Sequence, residues 1–253
     1  MPAMDYSKVA ELYDIYAQTD IDVPFFLQEA RNCHSVLELT SGTGRLSLPL
    51  IQAGVPLSCL DSSPEMLAIL RGKLQDKGLS APIYEMDASS FSLPDRFDLI
   101  IIPFNAFAEI VRPVSQQTAL ASIRSHLREA GRLICTFHNP AIRLKNIDGQ
   151  IHLTGKYALP DNGGTLFLSA LESYDPGTQL VTGLQFYELY DRHGEMQAKR
   201  FVNLQFFLHS KESFETLAYS QGFTVVALYG DYMRTEFHPE KSPFMIWVLR
   251  KQA

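Results

Sequence analysis

Several absences narrow the field before any motif is read. The chain holds only Cys33, Cys59 and Cys135, an odd and scattered set. Spacing builds no disulfide framework from them, and two fall in apolar strand-like stretches, so they read as reduced thiols of a reducing compartment. No Lys/Arg run occurs and the net charge is −6, which gives no general attraction to nucleic acid or to an anionic membrane. No apolar run approaches the ~20 residues of a membrane helix, and the first five residues open no signal segment. No metal-ligand spacing and no nucleophile elbow is visible. The expectation is a cytoplasmic protein with a small-molecule partner, no nucleic acid, no membrane and no metal; its oligomeric state stays open. What is present suits a globule: 253 residues, 46% hydrophobic and 20% charged, enough for one large domain or a domain with a sizeable insertion.

The stretch from Val36 to Asp61 organises the chain. Val36 to Leu39 is a short apolar strand pattern running into a turn with Gly42 and Gly44. Glycines let a backbone approach a ligand closely. A helical run follows, Gly54 suits its C′ stop, and Pro56 to Leu60 reads as a second strand ending in Asp61. A carboxylate there can accept two hydrogen bonds from a vicinal diol. The third glycine of a dinucleotide fingerprint is replaced by Ser47, and Pro49 is expected to kink the first helix.

The βα rhythm continues. Ser63 and Pro64 open a helix with Met66, Ile69, Leu70 and Leu74 as its buried stripe and Gly78 at its end. Pro82 to Met86 reads as a third strand, ending at Asp87-Ala88. Phe97 to Ile102 is a continuous apolar run, as in a strand covered on both faces, and gives way to Pro103-Phe104-Asn105-Ala106-Phe107. A helix from about Ser115 to Glu129 then leads to a strand from Arg132 to Phe137, ended by His138. Residues 141–209 break the rhythm. Four extended segments (151–157, 164–174, 178–190 and 197–209) are separated by Asn162-Gly163-Gly164, Asp175-Pro176-Gly177 and His193-Gly194, the chemistry of an antiparallel meander. On its last strand Val202, Leu204, Phe206 and Leu208 share one face, while Phe201, Asn203, Gln205 and Phe207 share the other. A helix from Ser210 and strands at 223–229 and 244–249 close the chain. The two final strands have no helix between them, which suits an antiparallel hairpin and not a regularly repeating dinucleotide fold.

Glu38-Leu39-x-x-Gly42-Thr43-Gly44-Arg45, followed by Leu60-Asp61-x-Ser63-Pro64-Glu65-Met66-Leu67, closely resembles the class I S-adenosylmethionine (SAM) methyltransferases. The resemblance runs on through Met86-Asp87-Ala88 and Phe97-Asp98-Leu99-Ile100, and more loosely to the C-terminus. It implies an α/β, Rossmann-like sheet of seven strands, the last antiparallel, with a small antiparallel β insertion after strand five. It implies a SAM domain over 1–140 and 210–253, with 141–209 covering the active site. It also implies that Glu38, Thr40, Gly42, Gly44, Asp61, Ser62, Met66, Asp87, Ala88 and Pro103 surround SAM and its product S-adenosylhomocysteine. Ser62 and Met66 would flank adenine, Asp87 and Ala88 would read its edge, and the loop after Pro103 would face the methyl group. The family usually has Gly or Ala where this chain has Thr40.

Tyr13-Asp14-x-Tyr16 resembles the N-terminal segment of small-molecule N-methyltransferases of the glycine and amino-sugar type. That makes residues 1–30 a helical lid, with Tyr13 at the cofactor. Acceptor contacts are expected from Tyr6, Tyr16, Asn105, Phe107, Asn203 and Gln205. Methyl transfer is an in-line displacement, and a base is needed only if the nucleophile arrives protonated. His138, at a strand's carboxyl end, is the first candidate base, ahead of Glu109, Tyr6 and His209. A nicotinamide-dependent oxidoreductase and a non-catalytic SAM-binding protein remain the competing functions. The methylated atom stays open.

Overall fold

A computed structural model describes residues 4–252. The chain starts with a 3-10 turn at Tyr6–Lys8, α1 (Ala10–Tyr16) and α2 (Val23–Ala30). The alternating part follows: β1 (Val36–Leu39), α3 (Ser47–Gln52), β2 (Leu57–Asp61), α4 (Pro64–Asp76), β3 (Ile83–Glu85), β4 (Phe97–Ile102), α5 (Pro113–His126) and β5 (Leu127–His138). The short α6 (Pro140–Arg143) leads into β6 (Ile151–Ala158), β7 (Thr165–Asp175), β8 (Leu180–Tyr190) and β9 (Met196–Phe207). Then come α7 (Lys211–Ser220), β10 (Phe223–Tyr229) and β11 (Phe244–Lys251).

The large sheet has the order β10-β11-β5-β4-β1-β2-β3. Only β11 runs against its neighbours, β5 and β10. β6 to β9 form a separate antiparallel meander. This is the Rossmann-like sheet with a reversed last strand that the resemblance implies. Side chains alternate across it into two cores. Leu37, Leu39, Ile100, Ile102, Cys135 and Phe137 point to one side, where they meet Phe107 and Phe214. Val36, Leu99, Ile101 and Ile134 point to the other, against Phe25, Phe26, Leu67 and Leu70. Among the described residues no helix is long and apolar enough to cross a membrane.

Three local expectations are corrected. α3 begins only at Ser47, so Pro49 sits in its first turn, where the missing N–H is not needed and no kink follows. On α4 the buried stripe is Met66, Leu67, Leu70 and Leu74; Leu67 takes the place expected of Ile69. The Ser63 hydroxyl caps this helix, accepting from the Met66 N–H at 3.3 Å. α5 ends at His126 and not near Glu129, because Leu127 pairs with Phe97 before the register shifts to Leu99 with Arg132. Strand pairing overrides helical propensity there.

Candidate active site

The carboxyl ends of β1, β2 and β4 open on one edge of the large sheet, the usual ligand side of an open α/β fold. The turn after β1 is built on left-handed backbone at Thr40 (φ 59°), Gly42 (φ 54°) and Gly44 (φ 87°). Gly44 has no room for a side chain: a Cβ would stand 2.4 Å from Leu70 Cδ1 of α4. Gly42 has open space around that position. It is the turn's open face. Thr40, a β-branched residue, is strained in this region, and its hydroxyl donates to the Leu39 carbonyl. Among the described residues the buried Ser41 hydroxyl of the same turn has no partner.

Asp61, at the end of β2, accepts from the Gly42 N–H at 2.8 Å and from the Ser63 N–H at 2.9 Å. Enclosure raises its carboxyl pKa, and these N–H groups oppose the rise. Glu38 lies deeper. It is 1% exposed, accepts from the Ser47 hydroxyl at 2.6 Å, and is pushed up to about 8 by burial. It underpins the turn and does not line the cleft. Asp87 is exposed, with Oδ1 accepting from the Ser89 N–H at 2.7 Å; Ala88 beside it is buried. Ser62 is exposed beside Asp61, Pro103 is buried, and Met66 belongs to the core stripe of α4.

The N-terminal segment crosses this edge. Asp14 fastens it to the glycine turn: Thr43 Oγ1 donates to it at 2.6 Å and Lys73 pairs with it at 2.5 Å. Arg45 fastens the next loop, donating to both Asp22 oxygens at 2.6 Å and to the Thr19 carbonyl at 2.9 Å. Its guanidinium lies 4.6 Å from the Phe104 ring. The fastened segment brings together a row of tyrosines. Ring centroids are 6.0 Å apart for Tyr6 and Tyr13, 5.3 Å for Tyr13 and Tyr16, and 5.7 Å for Tyr16 and Tyr187 of β8. Tyr157 of β6 stands 6.4 Å from Tyr16. The Tyr187 hydroxyl donates to Gln185 Oε1 at 2.8 Å. Glu109, in the 3-10 turn after β4, accepts from the Tyr6 hydroxyl at 2.7 Å. Burial pushes its carboxyl up to about 7, with the Asp61 charge acting in the same direction. Tyr6, Tyr13, Tyr16, Asp61 and Glu109 are enclosed by protein yet keep part of their surface accessible, as residues lining an internal cleft do.

Other expected residues fall elsewhere. Phe107 is wholly buried, edge-on to Phe137 and Phe214, and is a core residue with no free face for an acceptor. Asn203 and Gln205 lie on the outward face of β9; the face toward the tyrosines carries Val202, Leu204 and Phe206. Asn105 braces two strand ends, its Oδ1 accepting from the His138 N–H at 3.1 Å. The His138 ring stands 6.1 Å from Phe244, and burial together with Arg143 pushes its pKa down to about 4. His209 is sealed among Phe107, Phe137, Phe207 and Phe214 with neither ring nitrogen partnered. A hollow of about 810 Å³ on the outward face of the small sheet, lined by Lys156, Phe167, Glu188 and Tyr190, holds none of the cleft residues.

The sequence reading left Asp14, Arg45, Tyr187 and Gln185 unassigned and ranked Glu109 low. One signal was available for Glu109: it is the only charged residue between Asp98 and Arg112.

The residues fit an adenosyl cofactor. An open glycine turn with an unpartnered hydroxyl stands beside a carboxylate at the end of β2. Residues 36–131 match the family described as methyltransferase domain. A glycine/sarcosine N-methyltransferase of Aphanothece halophytica is 26% identical over 245 residues, which cover 95% of this chain and 86% of that protein. A SAM-dependent methyltransferase from Clostridium acetobutylicum ATCC 824 superposes with a TM-score of 0.81 at 19% identity, covering 98% of this chain and 99% of the other. The SAM-bound amino pentose methyltransferase of Micromonospora echinaspora gives a TM-score of 0.67 at 17% identity, covering 98% and 91%.

Proposed function

As a class I SAM-dependent methyltransferase, the protein must hold SAM and present an acceptor to its methyl group, and we propose that this acceptor is a small amine methylated on nitrogen. The observation that carries the reading is the row Tyr6, Tyr13, Tyr16 and Tyr187, drawn from the N-terminal segment and the small sheet over the carboxyl edge. Electron-rich ring faces favour an ammonium or methylated nitrogen. A site roofed from two directions favours a small acceptor over a folded macromolecule. The glycine/sarcosine N-methyltransferase that this chain resembles along most of its length supports the same reading.

SAM, when bound, supplies an electrophilic methyl group on a sulfonium. The chain's own residues bind, orient and exclude water. In our reading Asp61 takes the ribose hydroxyls, the open side of Gly42 lets the backbone lie against the cofactor, and Asp87 with Ala88 reads the adenine edge. Tyr6, Tyr13 and Tyr16 hold the acceptor in line, backed by the buried Tyr187; orientation of this kind is worth roughly 7–11 kcal/mol in favourable cases. The free cysteines are consistent with work in a reducing cytoplasm.

The test has two arms. Calorimetry with SAM and S-adenosylhomocysteine should show both binding, with Asp61→Ala weakening them at least tenfold and Asp95→Ala leaving them unchanged. Turnover with labelled SAM is then compared across small primary and secondary amines and their hydroxyl analogues. Amines turned over in preference to the hydroxyl compounds is the expected result. Methylation confined to hydroxyl acceptors, or faster on RNA or intact protein, would overturn the small-amine reading.

A further inference from the structure

Glu109 is a half-buried carboxyl, and among the described residues no cation pairs with it. Its hydrogen bond comes from the Tyr6 hydroxyl. The charge felt most nearby is another acid, Asp61. Tyr6 faces it from the 3-10 turn, Tyr13 and Tyr16 from α1, and Asp61 from β2. Arg45, the guanidinium along the same edge, is already committed to Asp22 and Thr19. Buried charges are ordinarily paired, because an unpaired one loses its hydration without compensation. Asp22 with Arg45 and Glu172 with Arg143 follow that rule here. Glu109 breaks it, beside the tyrosines that the small-amine reading assigns to the acceptor.

We propose that the missing cation is the acceptor itself: a protonated primary or secondary amine enters among Tyr6, Tyr13 and Tyr16, pairs with Glu109, and surrenders its proton to that carboxylate. This deepens the small-amine reading above and rests on it. The step balances. The ammonium N–H bond breaks, its electrons stay on nitrogen as a lone pair, and the proton goes to the Glu109 oxygen that Tyr6 does not hold. That lone pair forms the new N–C bond while the electrons of the C–S bond leave with sulfur. Tyr6 is not the base, because burial and the Glu109 charge raise its phenol pKa well above the ordinary value. It remains a donor and holds one carboxyl oxygen in place. His138 faces Phe244 and Arg143.

The experiment uses the full chain saturated with S-adenosylhomocysteine and two probes of one shape, tert-butylammonium chloride and tert-butanol, followed by NMR titration. The wild type should bind the cation in preference to the alcohol. Glu109→Gln should weaken the cation at least tenfold and leave the alcohol unchanged, while Glu188→Gln on the outward face behaves as wild type. Cation affinity should fall as pH drops through the Glu109 pKa, because protonation neutralises the partner. Tyr6→Phe removes a donor that favours the carboxylate, so it should move that fall to higher pH while keeping the cation site. In turnover, Glu109→Gln should lower kcat/KM for amines by about 10²-fold or more.

Equal affinity for the two probes, a Glu109→Gln protein that binds the cation as wild type does, or an unmoved pH limb in Tyr6→Phe would each overturn the assignment. So would an effect of Glu109→Gln confined to SAM affinity, which would make this carboxylate a counter-ion to the sulfonium. Failure of the small-amine reading looks different: the wild type would methylate hydroxyl compounds alone, whatever the probes do.

Discussion

In the seven-stranded sheet both faces are covered, and β4 buries Leu99 to Ile102 almost completely. In the four-stranded sheet one face is covered and the other is not. Phe206 and Phe201 belong to the same strand, yet Phe206 is 4% exposed and Phe201 63%. The two sheets also treat buried acid differently. Glu172 of β7 is paired with Arg143 at 2.5 Å, whereas Glu38 of β1 has only a serine hydroxyl. In the small sheet the buried acid is neutralised by an ion pair. The large sheet and its loops keep carboxyls without a cation among the described residues, Glu38 on β1 and Glu109 in the turn after β4. Strain gathers there too: Thr40, Phe104 and Asn105 all have positive φ on the loops that face the cleft.

The contrast within β9 gives the largest expected effect. Phe206→Ala should destabilise by about 3–4 kcal/mol through the cavity it leaves, and Phe201→Ala by less than about 0.5 kcal/mol. Urea unfolding of the two variants measures this directly. A Phe201→Ala loss as large as that of Phe206→Ala would mean that the outward face is covered in solution. Asn203 and Gln205 share the face of Phe201, and their Ala variants should leave acceptor KM unchanged.

The next effect separates the two kinds of buried acid. Glu38 has its pKa raised to about 8 in the folded protein, against about 4.3 for a free carboxyl. The folded state therefore holds a proton that the unfolded state releases. The contribution is fully present below the unfolded pKa and is lost as pH rises towards 8, at up to about 1.4 kcal/mol per pH unit. Thermal unfolding between pH 5 and 8 should show this decline in wild type and a flatter profile in Glu38→Gln. Identical slopes would mean that Glu38 is ionised in the folded state.

The smallest effect lies in the turn itself. Thr40→Gly relieves a left-handed β-branched residue and loses one local hydrogen bond, so stability should rise by about 0.5–1 kcal/mol. A rise in Tm of a few degrees is the readout; a fall would show that the hydroxyl contributes more than the strain costs.

Much of this was legible beforehand, for local reasons. Gly42, Gly44, Asp61 and Ser63 act through neighbours close in the sequence, so the βαβ unit could be read from its own residues. The meander could be bounded because Asn162-Gly163-Gly164 and Asp175-Pro176-Gly177 mark its turns. The two faces of β9 followed from period-two alternation. Which face looks toward the N-terminal tyrosines did not, because the answer comes from Tyr16 and Tyr187, 171 residues apart. Glu109 gained its setting from Tyr6, 103 residues away, and Phe107 was misjudged because its loop turns back into the core. The end of α5 was missed because a strand register decided it.

Arg200 donates to the Lys8 carbonyl at 2.8 Å across 192 residues and pairs with Glu11. That contact sets a clock on biosynthesis. At about 5–20 residues per second, roughly 10–40 s separate the translation of Lys8 from that of Arg200. For most of that interval the tyrosines of the N-terminal segment have neither β8 nor β9 to pack against. The parallel strands β1 to β4 can pair in the meantime, while this aromatic segment stays open to any other apolar surface in reach. A nascent chain stalled before β8 would display its first helix with no Tyr187 to meet it.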